Sequence, residues 1–163
     1  HHANLKENLE REVQELNGNV DLLVKELKAQ GLYDDVTIVI GSEFARTITG
    51  NGGQGSDHAW GGHYMMMGGA VKGGRVLGQY PDDITPEGPL NIGRGRIIPT
   101  TSWDAIWNGV AQWMGVETES ELDYCLPNRI KSTTGAGVTG LMQASDLFKS
   151  TSRRNLRRAN KQE

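Results

Sequence analysis

Residues 36–74 read VTIVIGSEFARTITGNGGQGSDHAWGGHYMMMGGAVKGG, and this stretch decides the fold that we expect. It begins with the β-branched run 36–40, which is typical of a strand buried on both faces of a helix-flanked sheet. Glycine-rich sequence follows at once, and a second apolar segment at residues 64–67 ends in Gly68-Gly69. We therefore predict a strand, a long functional loop and a second strand.

Glycine is concentrated in this part of the chain. The sequence holds 22 glycines in 163 residues, and 15 of them fall between Gly41 and Gly95. A disordered low-complexity segment would lack the Trp60, Tyr64 and methionine side chains that interrupt these glycines. The region is therefore predicted to be folded and rich in loops, with a backbone that turns tightly or approaches something closely.

Two amphipathic helices are predicted on either side of this region. Residues 4–30 place apolar side chains at steps of three and four, which predicts one buried stripe, with Gly18 as a point where the helix could kink and Gly31 as its end. Residues 100–114 repeat the pattern with three tryptophans, which we expect to pack on the sheet. The N-cap would be Thr101 or Ser102, and the stop would be Gly115.

The remaining segments carry weaker signals. Residues 75–80 are predicted to form another short strand, and residues 81–98 a polar connection. The single Cys125 excludes an internal disulfide and a cysteine-rich zinc module. No run approaches eighteen apolar residues, so no membrane span is expected. Because the first residue is His1 and not Met, we expect the chain to begin inside a longer polypeptide.

The charge is divided unevenly along the chain. Residues 148–163 carry six of the 17 basic side chains and one of the 20 acidic ones, which leaves a net charge of −8 for residues 1–147. A basic tail of this kind is able to touch nucleic acid or an anionic surface, but we favour the plainer interpretation of a solvated, frayed helix. We expect no nucleic-acid partner.

Candidate metal ligands gather in two places. His1 and His2 open the chain, while Glu43, the Asp57-His58 pair and His63 lie in the glycine-rich region. Carboxylates and imidazoles at the ends of strands suit a divalent cation. The histidines have plainer interpretations: His58 as a loop histidine bonded to backbone, His63 as a structural residue before a strand, and His1-His2 as the remnant of a tag.

Three other motifs do not support a function. Residues 50–55 satisfy G-x-G-x-x-G, but they lie nine residues beyond the predicted strand and no helix start follows them. The sequence has no P-loop. Ser42 is not surrounded by the G-x-S-x-G pattern of a serine hydrolase.

Several motifs in order resemble a widespread family of secreted proteins of unknown function. These are S-E-F-A-R-T at residues 42–47, N-G followed by G-S-D-H at residues 51–58, and G-G-A-V-K-G-G at residues 68–74. The likeness extends from His2 to about residue 128. Ala45 and Ala59 replace the family's usual glycines, and both are small.

This resemblance implies membership of the alkaline phosphatase and sulfatase superfamily. It implies a three-layer α/β/α sandwich of which residues 1–128 form the C-terminal half. The composition of residues 129–163 separately predicts a polar and basic tail. The other half, upstream in the same polypeptide, would carry the nucleophile. Family members are usually exported, so a periplasmic or extracellular location is expected.

The resemblance also implies a metal site. Ligands are expected at His2 (or His1), Glu43, Asp57 and His58, with zinc, calcium or magnesium as the cation. Phe44 stands where the phosphatases have a histidine, so at least one of their two metal positions is altered or lost. Arg46 is the candidate to stabilise the charge of the transition state. Alternatively, Arg46 forms a salt bridge with Glu43 or Asp57.

Three functional hypotheses follow. The first is a divalent-metal-dependent hydrolase-like protein that acts on phosphate or sulfate esters of small molecules or polymers. The second is a non-catalytic member of the fold that serves as a binding or assembly module, motivated by Phe44 in a ligand position. The third assigns the function to the basic tail. The sequence leaves the oligomeric state open.

Overall fold

The computed structural model describes residues 1–129 and 140–150. Eight elements occur there in chain order. They are α1 (Leu5–Ala29), β1 (Ile38–Ile40), β2 (Ala45–Gly50), β3 (Ser56–Ala59), β4 (Met65–Met67), α2 (Trp103–Met114), α3 (Glu119–Cys125) and α4 (Ala144–Leu147).

Helix α1 confirms the predicted 3.6-residue periodicity but not the predicted burial. It runs without interruption through Gly18 and ends just before Gly31, where the sequence placed its stop. None of its residues is buried, and its apolar stripe is open, with Val13 50% exposed and Leu23 45% exposed. The prediction of a buried stripe is therefore wrong for the described residues.

The strands form two small antiparallel sheets within the described part of the chain. β1 pairs with β4, and Val39 faces Met66 in the register. β2 and β3 form a hairpin inside the segment predicted as a loop. β1 is half-buried, so the prediction that it is buried on both faces is wrong. Residues 75–80 form no strand, which corrects that prediction as well.

Helix α2 contributes to the hydrophobic core. Its N-cap is Ser102, whose hydroxyl accepts a hydrogen bond from the backbone N–H of Ala105, and its C-cap is Gly115, as predicted. Val110 packs with Leu147 and Phe148 from the far end of the chain. The first residue of the predicted basic segment is therefore a core residue, since Phe148 is only 3% exposed.

Arg129 ties α3 to α2. Its side chain is 4% exposed and donates to the carboxylates of Glu119 and Asp123 and to Oδ1 of the fully buried Asn108. Hydrogen bonding to Glu119 raises the pKa of this guanidinium. A buried arginine with all these acceptors is satisfied, so it has a structural role.

These elements make the protein a mixed α/β structure with small antiparallel sheets and helices. No helix of the described residues combines the length and the apolar character that a membrane crossing requires. The basic side chains from Arg153 onward, on which the tail hypothesis rests, lie outside the described residues.

Candidate functional site

The β2–β3 hairpin sets two candidate residues side by side. Arg46 and His58 are direct partners in the antiparallel register, and such partners lie within contact distance on one face. Phe44, just before β2, stacks on the imidazole of His58 with ring centroids 4.1 Å apart. The guanidinium of Arg46 lies over the same phenyl ring at 5.7 Å.

The start of the chain docks against the glycine-rich loop 51–55. Backbone hydrogen bonds join Asn4 to Gly53, Leu5 to Gln54 and Ser56 to His1, and Asn51 Nδ2 donates to the carbonyl of His2. A Cβ on Gly55 would lie 2.3 Å from the His2 carbonyl group, closer than real Cβ contacts occur. Glycine is therefore required here for the close approach that brings His2 to the hairpin.

His2 reaches both residues of the Asp57-His58 pair. Its Nδ1 lies 3.3 Å from Oδ1 of Asp57, and its Nε2 lies 2.9 Å from Nε2 of His58. With both rings neutral, the carboxylate requires the proton of His2 on Nδ1, so Nε2 of His2 accepts and Nε2 of His58 donates. The structure thus brings together three predicted site residues that are up to 56 positions apart in sequence.

The carboxylate of Asp57 is fully engaged. Oδ1 also accepts a hydrogen bond of 2.9 Å from Asn51 Nδ2, and Oδ2 accepts one of 2.6 Å from Arg94 Nη2. The hydrogen bond from Asn51 makes the largest contribution to lowering the pKa of Asp57. Those from His2 and Arg94 lower it further, to about 2. Asp57 is therefore a carboxylate at neutral pH, and all its partners are donors within the protein.

Arg46 has no carboxylate partner among the described residues. Its Nη1 donates to the backbone carbonyl of Ser56 at 3.0 Å and lies 3.5 Å from Nε2 of His2. The alternative that Arg46 pairs with Glu43 or Asp57 is wrong, because Arg94 holds Asp57 instead. The positive charge of Arg46 beside two imidazoles therefore makes this corner of the hairpin attractive to an anion.

Glu43 does not join the cluster. It is exposed and makes no hydrogen bond or ion pair with any described residue. Burial raises the pKa of the Tyr64 phenol, and the negative charge of Glu43 raises it further. His1 turns away to Glu12 at 2.6 Å, and His63 stacks on Tyr80, so neither contributes to the cluster.

The imidazole nitrogens of His2 and His58 suit two ligands of one cation. Two ligand nitrogens of a tetrahedral zinc ion lie about 3.3 Å apart, so a separation of 2.9 Å needs little adjustment. Binding through both atoms also requires the proton of His58 to move from Nε2 to Nδ1. Within residues 1–129 and 140–150, however, no group of three or more His, Cys, Asp and Glu side chains is arranged to hold a metal ion. The described residues therefore form no complete metal site.

Sequence reasoning did not single out Asn51 and Arg94. A signal for both exists, since residues 51–55 read N-G-G-Q-G and residues 91–95 read N-I-G-R-G. In each loop the asparagine Oδ1 accepts from the two following glycine amides at positions +2 and +4. Gln54 and Arg94 share a φ of 58°, so the two loops have matching geometry.

Comparison with known protein families gives a match over the first part of the chain. Residues 1–88 match the family described as "Protein of unknown function (DUF1501)", which is more than half of the chain. The matched segment includes His2, Arg46, Asp57 and His58, whereas Arg94 lies beyond it. No curated protein and no solved structure matches the chain.

Proposed function

Since the chain belongs to the DUF1501 family of proteins of unknown function, we propose that it is a divalent-metal-dependent, hydrolase-like protein that acts on phosphate or sulfate esters. The proposal includes a place in the alkaline phosphatase and sulfatase superfamily, with the three-layer sandwich and export that this implies. The observation that carries it is the convergence of His2 and His58 beside an arginine without a carboxylate partner among the described residues.

The side chains have separate roles in this proposal. His2 and His58 present their Nε2 atoms to the cation, and Arg46 donates to an oxygen of the ester group. A bound divalent cation would polarise that oxygen as a Lewis acid. Zinc fits the imidazole nitrogens better than calcium or magnesium, which prefer oxygen ligands.

The structure modifies the expected ligand set. Glu43 stays a candidate only if its loop turns toward His58. Asp57 already accepts three hydrogen bonds from Asn51, His2 and Arg94, so a direct bond to a cation would cost it at least one of them. The proposed ligands are therefore His2 and His58, completed by groups outside the described residues.

The experiment combines metal analysis and activity in the full polypeptide. We expect zinc to copurify with the wild type, and aryl phosphate or aryl sulfate esters to be hydrolysed. Arg46→Gln should lower kcat/KM about 10²–10³-fold, as the loss of a donor to developing charge does elsewhere. The matched control is Arg96→Gln, because the side chain of Arg96 bonds, within the described part of the chain, only to the backbone carbonyls of Ile92 and Gly93. A polypeptide without bound metal and without turnover would overturn the proposal.

Phe44 favours the second candidate function, a non-catalytic binding or assembly module. Its ring stacks on one face of His58, and Phe44 is 38% exposed. An aromatic surface therefore occupies the position where the resemblance expects a further metal ligand. In that case Phe44 and Arg46 would contact a partner polymer together. Metal binding without turnover, combined with loss of partner binding in Phe44→Ala, would favour this function over hydrolysis.

A further inference from the structure

We propose that Asp57 is a positioning residue that fixes the tautomer and orientation of His2 through Nδ1, and that the loop 91–95 holds Asp57 in this role through Arg94. The inference rests on the proposed function only because it takes His2 as a ligand of the cation. The geometry that supports it consists of the hydrogen bonds of Asp57 to His2, Asn51 and Arg94.

The two oxygens of Asp57 are divided between two loops of the same design. Asn51 opens the first N-x-G-x-G loop and bonds to Oδ1 at 2.9 Å. Arg94, the fourth residue of the second such loop, bonds to Oδ2 at 2.6 Å. The carboxylate therefore has one rotational setting in which both loops are satisfied, and that setting points Oδ1 at Nδ1 of His2.

The second loop is itself fixed to the hairpin. Ile48 donates its backbone N–H to the carbonyl of Gly95 at 3.0 Å. A Cβ at Gly95 would lie 2.8 Å from the backbone nitrogens of Ile48 and Thr49, so only glycine permits this approach. Arg94 thus emerges from a backbone anchored on β2, and its reach to Asp57 depends on that anchor.

The consequence for His2 follows from its hydrogen-bonding capacity. A neutral imidazole has one N–H and one lone pair, and a carboxylate at Nδ1 holds the proton there. The lone pair then stands on Nε2, toward His58 and Arg46. A carboxylate behind a histidine in this way orients the ring and increases the basicity of the nitrogen that binds a metal.

Asp57→Asn is the most informative change because the amide is nearly the same size. The NH₂ group that this change introduces would face other donors in both orientations of the amide. In one orientation it faces Asn51 and His2, and in the other it faces Arg94. The variant therefore takes the acceptor from His2 and Asn51 or from Arg94, and leaves an amide oxygen in place of a carboxylate, without creating a cavity. Arg94→Gln tests the same idea with Asp57 intact, and Arg96→Gln controls for the loss of one positive charge from that loop.

The test reads the tautomer of His2 by long-range ¹H–¹⁵N correlation in the metal-free protein at neutral pH. We expect the Nδ1–H form in the wild type and in Arg96→Gln, a partial loss in Arg94→Gln, and a mixture or the Nε2–H form in Asp57→Asn. Zinc affinity should fall about 10–100-fold in Asp57→Asn, as it does when such partners are removed.

Two results would overturn the inference. One is a wild-type His2 in the Nε2–H form, and the other is a tautomer that is unchanged in Arg94→Gln and, where that protein folds, in Asp57→Asn. A third result separates the two proposals. If the wild type shows the Nδ1–H form and the variants lose it as predicted, but the protein binds no zinc, the metal-dependent function fails while the positioning role of Asp57 stands.

Discussion

Gly55→Ala should release the start of the chain from the site without unfolding the protein. The new Cβ would lie 2.3 Å from the carbonyl carbon and oxygen of His2 and 2.7 Å from the nitrogen of Ala3. These are backbone atoms, so no side-chain rotation relieves the overlap. Overpacking of this kind costs about 1–3 kcal/mol. We therefore expect Gly55→Ala to weaken the docking of the first residues on the loop by about 2 kcal/mol.

This cost is comparable with what holds the segment in place. Four hydrogen bonds dock it on the loop, and each contributes about 0.5–1.5 kcal/mol net. A loss of about 2 kcal/mol therefore shifts the local opening equilibrium about 30-fold. Because α1 follows directly, the change should appear first at its N-terminal end.

Native-state hydrogen exchange measures this opening. The amides of Leu5 and Ser56 should exchange about 30-fold faster in Gly55→Ala, while amides of α2 keep their protection. Gly52→Ala is the matched control, because a Cβ at Gly52 has nothing within 4 Å. Equal protection of both amides in the two variants would refute the close approach of His2 to Gly55.

Three further predictions concern the rest of the fold. Arg129→Met leaves Oδ1 of the buried Asn108 without its donor and should lower the free energy of unfolding by about 2 kcal/mol in chemical denaturation. Leu147→Ala, at a fully buried position, should lower it by about 3 kcal/mol, against less than about 0.5 for the exposed Leu22→Ala. Thr118→Ala removes the N-cap of α3 and should cost about 1 kcal/mol at pH 7.

The Thr118 prediction has a pH dependence. Hydrogen bonds from Thr118 lower the pKa of Glu121 below its ordinary value of 4.5. A lowered carboxyl pKa stabilises the fold above the unfolded value, and this contribution is lost as pH falls through the folded value. The difference between wild type and Thr118→Ala should therefore shrink below pH 4.5. A difference that is constant from pH 7 to pH 3 would contradict the capping bond.

Local patterns were enough to predict the two long helices. α1 follows from its repeat of apolar side chains, and α2 from the same repeat with Ser102 before it and Gly115 after it. The exposure of the α1 stripe could not be read from the sequence. Periodicity shows which face of a helix is apolar, but what covers that face depends on tertiary contacts.

The hairpin and the site geometry were harder to predict. Ala45–Gly50 lacks a strict alternation of apolar and polar residues, so it read as loop, and its pairing with β3 carries a register shift. Asp57 and His58 were predicted as candidate ligands from their place in the glycine-rich region, and the resemblance supported that prediction. Their contact with His2 depends on a close approach at Gly55, and Arg94 arrives from a loop about 40 residues away, which spacing does not reveal.

Zinc titration of the ¹⁵N-histidine-labelled chain tests the central claim most directly. His2 and His58 are proposed to bind one cation through nitrogens that are 2.9 Å apart. The account predicts that the Nε2 resonances of both residues shift together and saturate with one zinc ion, while His1 and His63 stay unchanged. It would be contradicted if His2 and His58 did not respond, or if zinc shifted only His1 or His63.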